Sequence, residues 1–156
     1  MRLTLANTTS SHLPKTLVTR ALQTAARITS SRKQVYEITV SFVGDQQIKK
    51  INRRYRKADR VTDILSFTYQ RAESKINYRK NAPNSLKGPY GELVLALDQI
   101  TRQAKLHNKT IKAELRDVLI HGYLHLLGHD HHKVRERRIM RQWEDRIKRD
   151  FQRKFF

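Results

Sequence analysis

Residues 121–132 read HGYLHLLGHDHH, and the first two histidines of this run, His121 and His125, stand four positions apart. On a helix that spacing puts both imidazoles on one face, about a turn apart, where they can reach a single cation. Gly128 follows at a position where a left-handed residue can stop the helix and turn the chain. His131, ten positions after His121, can then return to the same ion from a non-helical segment. The chain has no cysteine, so thiolate ligands and disulfides are excluded and imidazole is the leading ligand. One divalent metal ion, zinc, is therefore expected on His121, His125 and His131. His129 and His132 lack the spacing and are left outside the ligand set, as solvent-exposed residues, ring-orienting donors or spare ligands. Asp130 either orients a ligand ring or caps the following turn, and His12 and His107 read as surface residues. The competing account is a surface histidine cluster that takes up metal only adventitiously.

The pattern HxxxHxxGxxH, carried by His121, His125, Gly128 and His131, has the spacing of the metzincin zinc motif. Metzincin proteases place a glutamate directly after the first histidine as the general base for attack on a peptide. Here that residue is Gly122. A peptidase reading thereby loses its mechanism, whereas three histidines with an open metal position still suit activation of water or polarisation of a phosphate oxygen. Charge on a phosphate in such a reaction would suit a guanidinium, which presents a planar fork of donors and stays charged at any working pH. Thr62 and Ser66 either donate hydroxyls or turn the backbone. No general base is identifiable.

The 33 Lys and Arg against 14 Asp and Glu give a formal charge of +19, a field that attracts polyanions. Nucleic acid is the expected partner ahead of a membrane, since the most basic segment also needs core-facing residues. The last stretch carries Lys133, Arg135, Arg137, Arg138, Arg141, Arg146, Lys148, Arg149, Arg153 and Lys154. Trp143, Phe151, Phe155 and Phe156 within it either stack on unpaired bases or anchor a helix to the core. The N-terminus has no long apolar stretch that reads as a signal peptide or spanning helix, so a cytoplasmic protein is expected.

Positioning these residues calls for a folded domain, and 156 residues suit a single one spanning 1–156. A short strand is expected over residues 3–8 and an amphipathic helix around Leu17, Val18, Leu22, Ala25 and Ile28. Alternation from Val35 to Val43 predicts a half-buried strand, and Asp45 is placed to cap a helix running to about Tyr55. Strands follow at Ile64–Tyr69 and Gly91–Leu97, separated by a polar loop over residues 71–90. Short helical spacing over Gln99–Leu106, a metal helix from about Thr110 to Gly128, and a basic helix from about residue 133 complete the chain. The class is α+β: one compact domain with a small mixed sheet of about four strands, covered by helices, and a metzincin-like metal helix.

Three segments resemble one family. HGYLHLLGHDH is similar to the signature HGxLHLxGyDH of the YbeY endoribonucleases, also called rRNA maturation factors. NRRYRKADRVTDILSF, residues 52–67, resembles that family's NxxYRxxDxxTDVLSF, and GELVLAL, residues 91–97, resembles its strand beginning GDIVI. Glu114 before the metal helix and Met140 with Glu144 after it also match. His129 stands where the family usually has tyrosine, and Glu92 where many members have aspartate. The resemblance implies a single-domain α+β protein with one zinc on His121, His125 and His131. It implies a metal-dependent endoribonuclease specific for single strands, acting in maturation of the 16S rRNA 3′ end and in ribosome quality control, with precursor rRNA and the small subunit as partners. It assigns Arg56 to a place near the metal with a part in activity, where its guanidinium would stabilise phosphate charge; the alternative for Arg56 is an ordinary ion pair with Asp59 or Asp63. A zinc-stabilised RNA-binding assembly factor with little intrinsic cleavage is the alternative.

Overall fold

The computed structural model describes residues 1–29, 37–69, 90–129 and 134–155, except for the side chain of Tyr90. Four strands form one mixed sheet: β1 (Arg2–Asn7), β2 (Glu37–Phe42), β3 (Ile64–Tyr69) and β4 (Tyr90–Leu95), in the order β1-β2-β4-β3. β1 and β4 flank β2 in parallel, whereas β3 runs antiparallel to β4 and forms the edge. The mixed α+β architecture expected from the alternation of strand and helix periods is what the chain adopts. The polar loop expected over 71–90, and the first residues of the strand expected from Val35, lie outside the described residues apart from Tyr90.

Five helices accompany the strands: α1 (Lys15–Thr29), α2 (Asp45–Arg56), α3 (Leu97–Leu106), α4 (Ile111–Leu126) and α5 (Val134–Phe155). Period-2 alternation divides the sheet into two faces. Ile38, Val40, Phe42, Leu93 and Leu95 meet α1, α4 and α5 in the main core, around Leu22, Leu115, Leu119 and Leu124. Val94 and Leu65 face the other way and join Ile48 of α2 in a smaller cluster. Each fully buried leucine of the main core contributes roughly 1.5–3 kcal/mol. The aromatics of α5 belong to this interior: Phe151 is buried, and Trp143 and Phe155 pack against the core, which decides their role in favour of anchoring.

Two local expectations are corrected. Asp45 does not cap α2; Gly44 holds the cap position without a side-chain bond, and Asp45 lies in the first turn, where Oδ2 accepts from Arg102 of α3 at 2.7 Å. A carboxylate in a first turn is already favoured by the helix dipole, so capping is not required of it. Glu114 lies within α4, not ahead of it. Thr110 caps that helix by accepting from Ala113 N–H at 3.1 Å, and the buried Glu114 one turn in receives His107 Nδ1 at 3.0 Å and Lys109 Nζ at 3.3 Å. His107 is thus half exposed but engaged, while His12 is exposed as expected.

α4 and α5 are joined electrostatically at Asp117, which accepts from Arg116 at 2.7 Å and Lys109 at 3.0 Å and lies 3.6 Å from Lys148 Nζ of α5. Burial pushes the Asp117 carboxyl up, but the bonds from Arg116 and Lys109 and the charge of Lys148 outweigh it and hold the carboxyl below its ordinary value. A carboxyl depressed in the folded state stabilises the fold above the unfolded value, near 3.8, and that contribution is lost as pH falls from there through the folded value. Asp117→Asn is therefore expected to lower stability at pH 7 by about 1–2 kcal/mol. It should also flatten the acid limb of the stability curve, read by urea unfolding from pH 7 to pH 3; an unchanged acid limb would remove Asp117 from this role.

Candidate metal centre

α4 supplies the first two histidines, and the end of that helix explains how the chain leaves them. Gly128 adopts φ 82°, His129 N–H donates to Leu124 O at 3.1 Å, and Gly128 N–H donates to His125 O at 2.9 Å. This pair of bonds is the Schellman arrangement that glycine permits, and it stops the helix where the sequence placed the stop. His121 and His125 then lie side by side with their Nε2 atoms 3.1 Å apart. Two imidazole nitrogens held about 2.0–2.1 Å from one tetrahedral zinc sit roughly 3.3 Å from each other, so the pair fits joint ligation. Among the described residues no third His, Cys, Asp or Glu completes a metal-binding group. His131, with Asp130 and His132, lies outside the described residues.

Glu144 of α5 orients the first ring. Its Oε1 lies 2.8 Å from His121 Nδ1. Burial pushes the Glu144 carboxyl up, but the bond from His121 and the nearby charge of Lys148 hold it below the usual carboxylate range. An ionised carboxylate only accepts, so the proton of a neutral His121 ring resides on Nδ1 and the Nε2 lone pair faces His125. Carboxylate–histidine pairs of this kind fix ring orientation at metal sites. The spacing of the histidines does not reveal Glu144, which stands 23 residues beyond His121 on another helix; the only signal was its match to the family pattern.

The histidines open onto a cleft of about 620 Å³ that Arg56 also lines, together with Thr62, Asp63 and Ser66. Arg56 ends α2 on the other face of the sheet, and the chain beyond it wraps around the β3 edge. Lys57 takes a left-handed φ of 59° to end the helix. The buried Asn52 then holds the wrap by donating from Nδ2 to Arg60 O at 2.9 Å. Arg56 forms no ion pair among the described residues: Asp59 faces Lys49 and Arg53, at 3.8 and 4.0 Å, and Asp63 accepts from Ile64 N–H and Thr62 Oγ1. Thr62 lines the cleft with its hydroxyl donating to the neighbouring Asp63 carboxylate. His129 lines the cleft too, with its ring 6.4 Å from that of Trp143.

The sequence model of the endoribonuclease YbeY family matches residues 4–152. The chain belongs to that family. It is 40% identical over 123 residues to the endoribonuclease YbeY of Thermodesulfovibrio yellowstonii, covering 78% of this chain and 71% of that protein. It is 37% identical over 113 residues to that of Myxococcus xanthus, covering 71% of this chain and 35% of that protein. A solution structure of a Thermotoga maritima protein superposes with a TM-score of 0.60 at 20% identity, over 98% of this chain and 93% of the other, so the two share a fold.

Within this YbeY fold the position after the first histidine has no room for a catalytic glutamate. A Cβ on Gly122 would lie 2.4 Å from Ile64 Cδ1, 3.1 Å from Leu93 Cδ2 and 3.2 Å from Ser66 Oγ, because that side of α4 faces the sheet. Gly122→Glu is accordingly expected to destabilise the fold by more than about 4 kcal/mol, since it buries a carboxylate in an overpacked contact, and to confer no peptidase activity. Urea unfolding checks this; a variant as stable as the parent would show that the helix can lift from the sheet.

Proposed function

We propose that this chain is a metal-dependent endoribonuclease that cleaves single-stranded RNA, and that it acts on precursor rRNA at the small ribosomal subunit. The observation that carries the reading is the convergence of His121 Nε2 and His125 Nε2 in a cleft shared with Arg56. Proteins named endoribonuclease YbeY are its relatives, and the charge of +19 suits a phosphate backbone. A cytoplasmic location accords with this reading, and no helix among the described residues is long and apolar enough to cross a membrane.

His121, His125 and His131 would hold one zinc ion. When bound, the ion supplies Lewis-acid polarisation of a water or a phosphate oxygen. The chain's own groups do the rest. Glu144 keeps the proton of a neutral His121 on Nδ1, so that Nε2 offers its lone pair to the site. Arg56, exposed at the end of α2, brings two parallel donors to the non-bridging oxygens of the phosphate and neutralises charge as it accumulates there. The open cleft admits an unpaired strand alongside the β3 edge.

His125→Ala is expected to lose both bound metal and cleavage; full metal-dependent cleavage by that variant would reject the site. Arg56→Ala should retain stoichiometric metal, measured by elemental analysis, while kcat falls by about 100-fold or more. Normal turnover would take Arg56 out of the reaction. Glu144→Gln should weaken metal binding roughly 10–100-fold with the fold intact, read by competition with a chelating indicator. Comparing metal-stripped and zinc-reconstituted protein on single-stranded and duplex RNA tests the whole proposal, and cleavage that is insensitive to metal would overturn it.

A further inference from the structure

The outer face of α5 serves neither the core nor the metal cleft. Steps of three and four residues place Arg135, Arg138, Gln142, Arg146, Arg149 and Arg153 in one stripe along it, and all of them are exposed. Met140, Ile147 and Phe151 are buried on the opposite side. From Arg135 to Arg153 the stripe runs about 27 Å at the rise of an α-helix. The acidic residues of α5 are mostly committed elsewhere: Glu144 bonds His121, Asp150 pairs with Arg27, and Glu136 stands on the Met140 side. Asp145 is the one acid of the helix set beside these five arginines.

Arg135, Arg138 and Arg153 form no ion pair or hydrogen bond among the described residues. Arg149 commits Nε to Asp145 O at 3.3 Å and keeps its two terminal nitrogens, while Arg146 lies over the Trp143 ring, 5.6 Å from its centre. Every cation in the stripe is arginine, whose planar fork can bond two phosphate oxygens at once where lysine offers a point charge. No aromatic ring accompanies them on that face: Phe151 is buried, and Trp143 and Phe155 pack against the core. A surface that holds unpaired bases uses exposed rings to stack them. Phosphate donors without stacking platforms suit RNA whose bases are already paired and stacked, and they meet its backbone without reading its sequence. α5 also carries Glu144 behind His121, so RNA lying along the stripe is held on the helix that supports the metal centre.

We infer that the arginine stripe of α5 is a docking surface for the backbone of double-helical RNA, separate from the cleft, and that it anchors substrates whose unpaired segment adjoins a helix. RNA as the substrate class rests on the function proposed above, but the test reads binding and not cleavage, so the two can fail separately. Equilibrium binding of a blunt RNA duplex and of a single strand is measured between about 50 and 200 mM salt. Combined Arg138→Gln, Arg149→Gln and Arg153→Gln should weaken duplex binding roughly tenfold or more and reduce the salt slope by about 2–3. The three side chains are exposed, so urea unfolding should match wild type. Lysine at the same three positions should keep the wild-type salt slope with intermediate affinity, because charge remains and the fork is lost. A control with Arg2→Gln, Lys15→Gln and Lys112→Gln, all exposed and off α5, removes the same charge and should leave duplex binding within about twofold of wild type. Equal losses in the α5 variant and the control would reduce the effect to net charge and overturn the surface. Equal loss of duplex and single-strand binding in the α5 variant would overturn its selectivity for helical RNA, and wild-type protein that binds no duplex would overturn it outright. Duplex binding through the stripe by a protein that cleaves no RNA would bring down the proposed function and leave this surface standing.

Discussion

The close approach of α4 to the sheet is the constraint on which the rest of the site depends. At Gly122 of α4 an added Cβ would come 2.4 Å from Ile64 Cδ1, and at Gly91 of β4 one would come 2.6 Å from Leu126 Cδ1, so helix and strands approach closely at both positions. With glycine at both ends of the contact, α4 lies directly over the edge of the sheet, further tied there by Thr68 Oγ1 donating to Leu126 O at 3.4 Å. His121 and His125 are therefore at the β3 edge, where backbone and cleft are open, and not above the middle of the sheet. The same contact turns the position after His121 inward. The absence of a protease-like glutamate thus has a steric cause within this fold as well as a chemical consequence.

Charge is distributed on a similar principle. A chain with so large a positive excess commits several of its few carboxylates to interior or interhelical positions: Glu114 at the start of α4, Asp117 between α4 and α5, and Glu144 behind His121. Each of these three is met by a cation or an imidazole, which offsets the cost of taking its charge out of water. Basic side chains such as Arg53, Arg54, Arg56 and Arg60 remain exposed, where they raise the local potential toward phosphate. α5 illustrates both uses, since its inner side carries Met140, Ile147 and Phe151 into the core and places Glu144 at the site.

α2 links the two faces of the sheet. Its apolar residues, Ile48 foremost, fill the smaller cluster, and its last turn delivers Tyr55 to one concavity and Arg56 to the other. The left-handed Lys57 and the Asn52 clamp on Arg60 carry the chain around the strand edge without a glycine. In the segment NRRYRKADRVTDILSF, the asparagine bonds Arg60 O, the tyrosine ring meets Phe67, the arginine lines the metal cleft and Asp63 accepts from Thr62 and Ile64, which gives that stretch of sequence a physical reading.

Periodicity alone determined a good deal. Local hydrophobic spacing is a property of the chain itself, so the helices and strands, the mixed sheet and the helix stop at Gly128 were all legible before any coordinates. The pairing of His121 with His125 was legible for the same reason, because a four-residue interval on a helix leaves two rings little choice but to share a face. What joins elements distant in sequence was not. The bond from His121 to Glu144, the clamp of Asn52 on Arg60, the inward aspect of Gly122 and the meeting of Tyr55, Phe67 and Glu92 arise only when α2, β3, β4, α4 and α5 pack. Spacing along a chain says nothing about which faces of separate elements will meet; the burial of two different cores decides that.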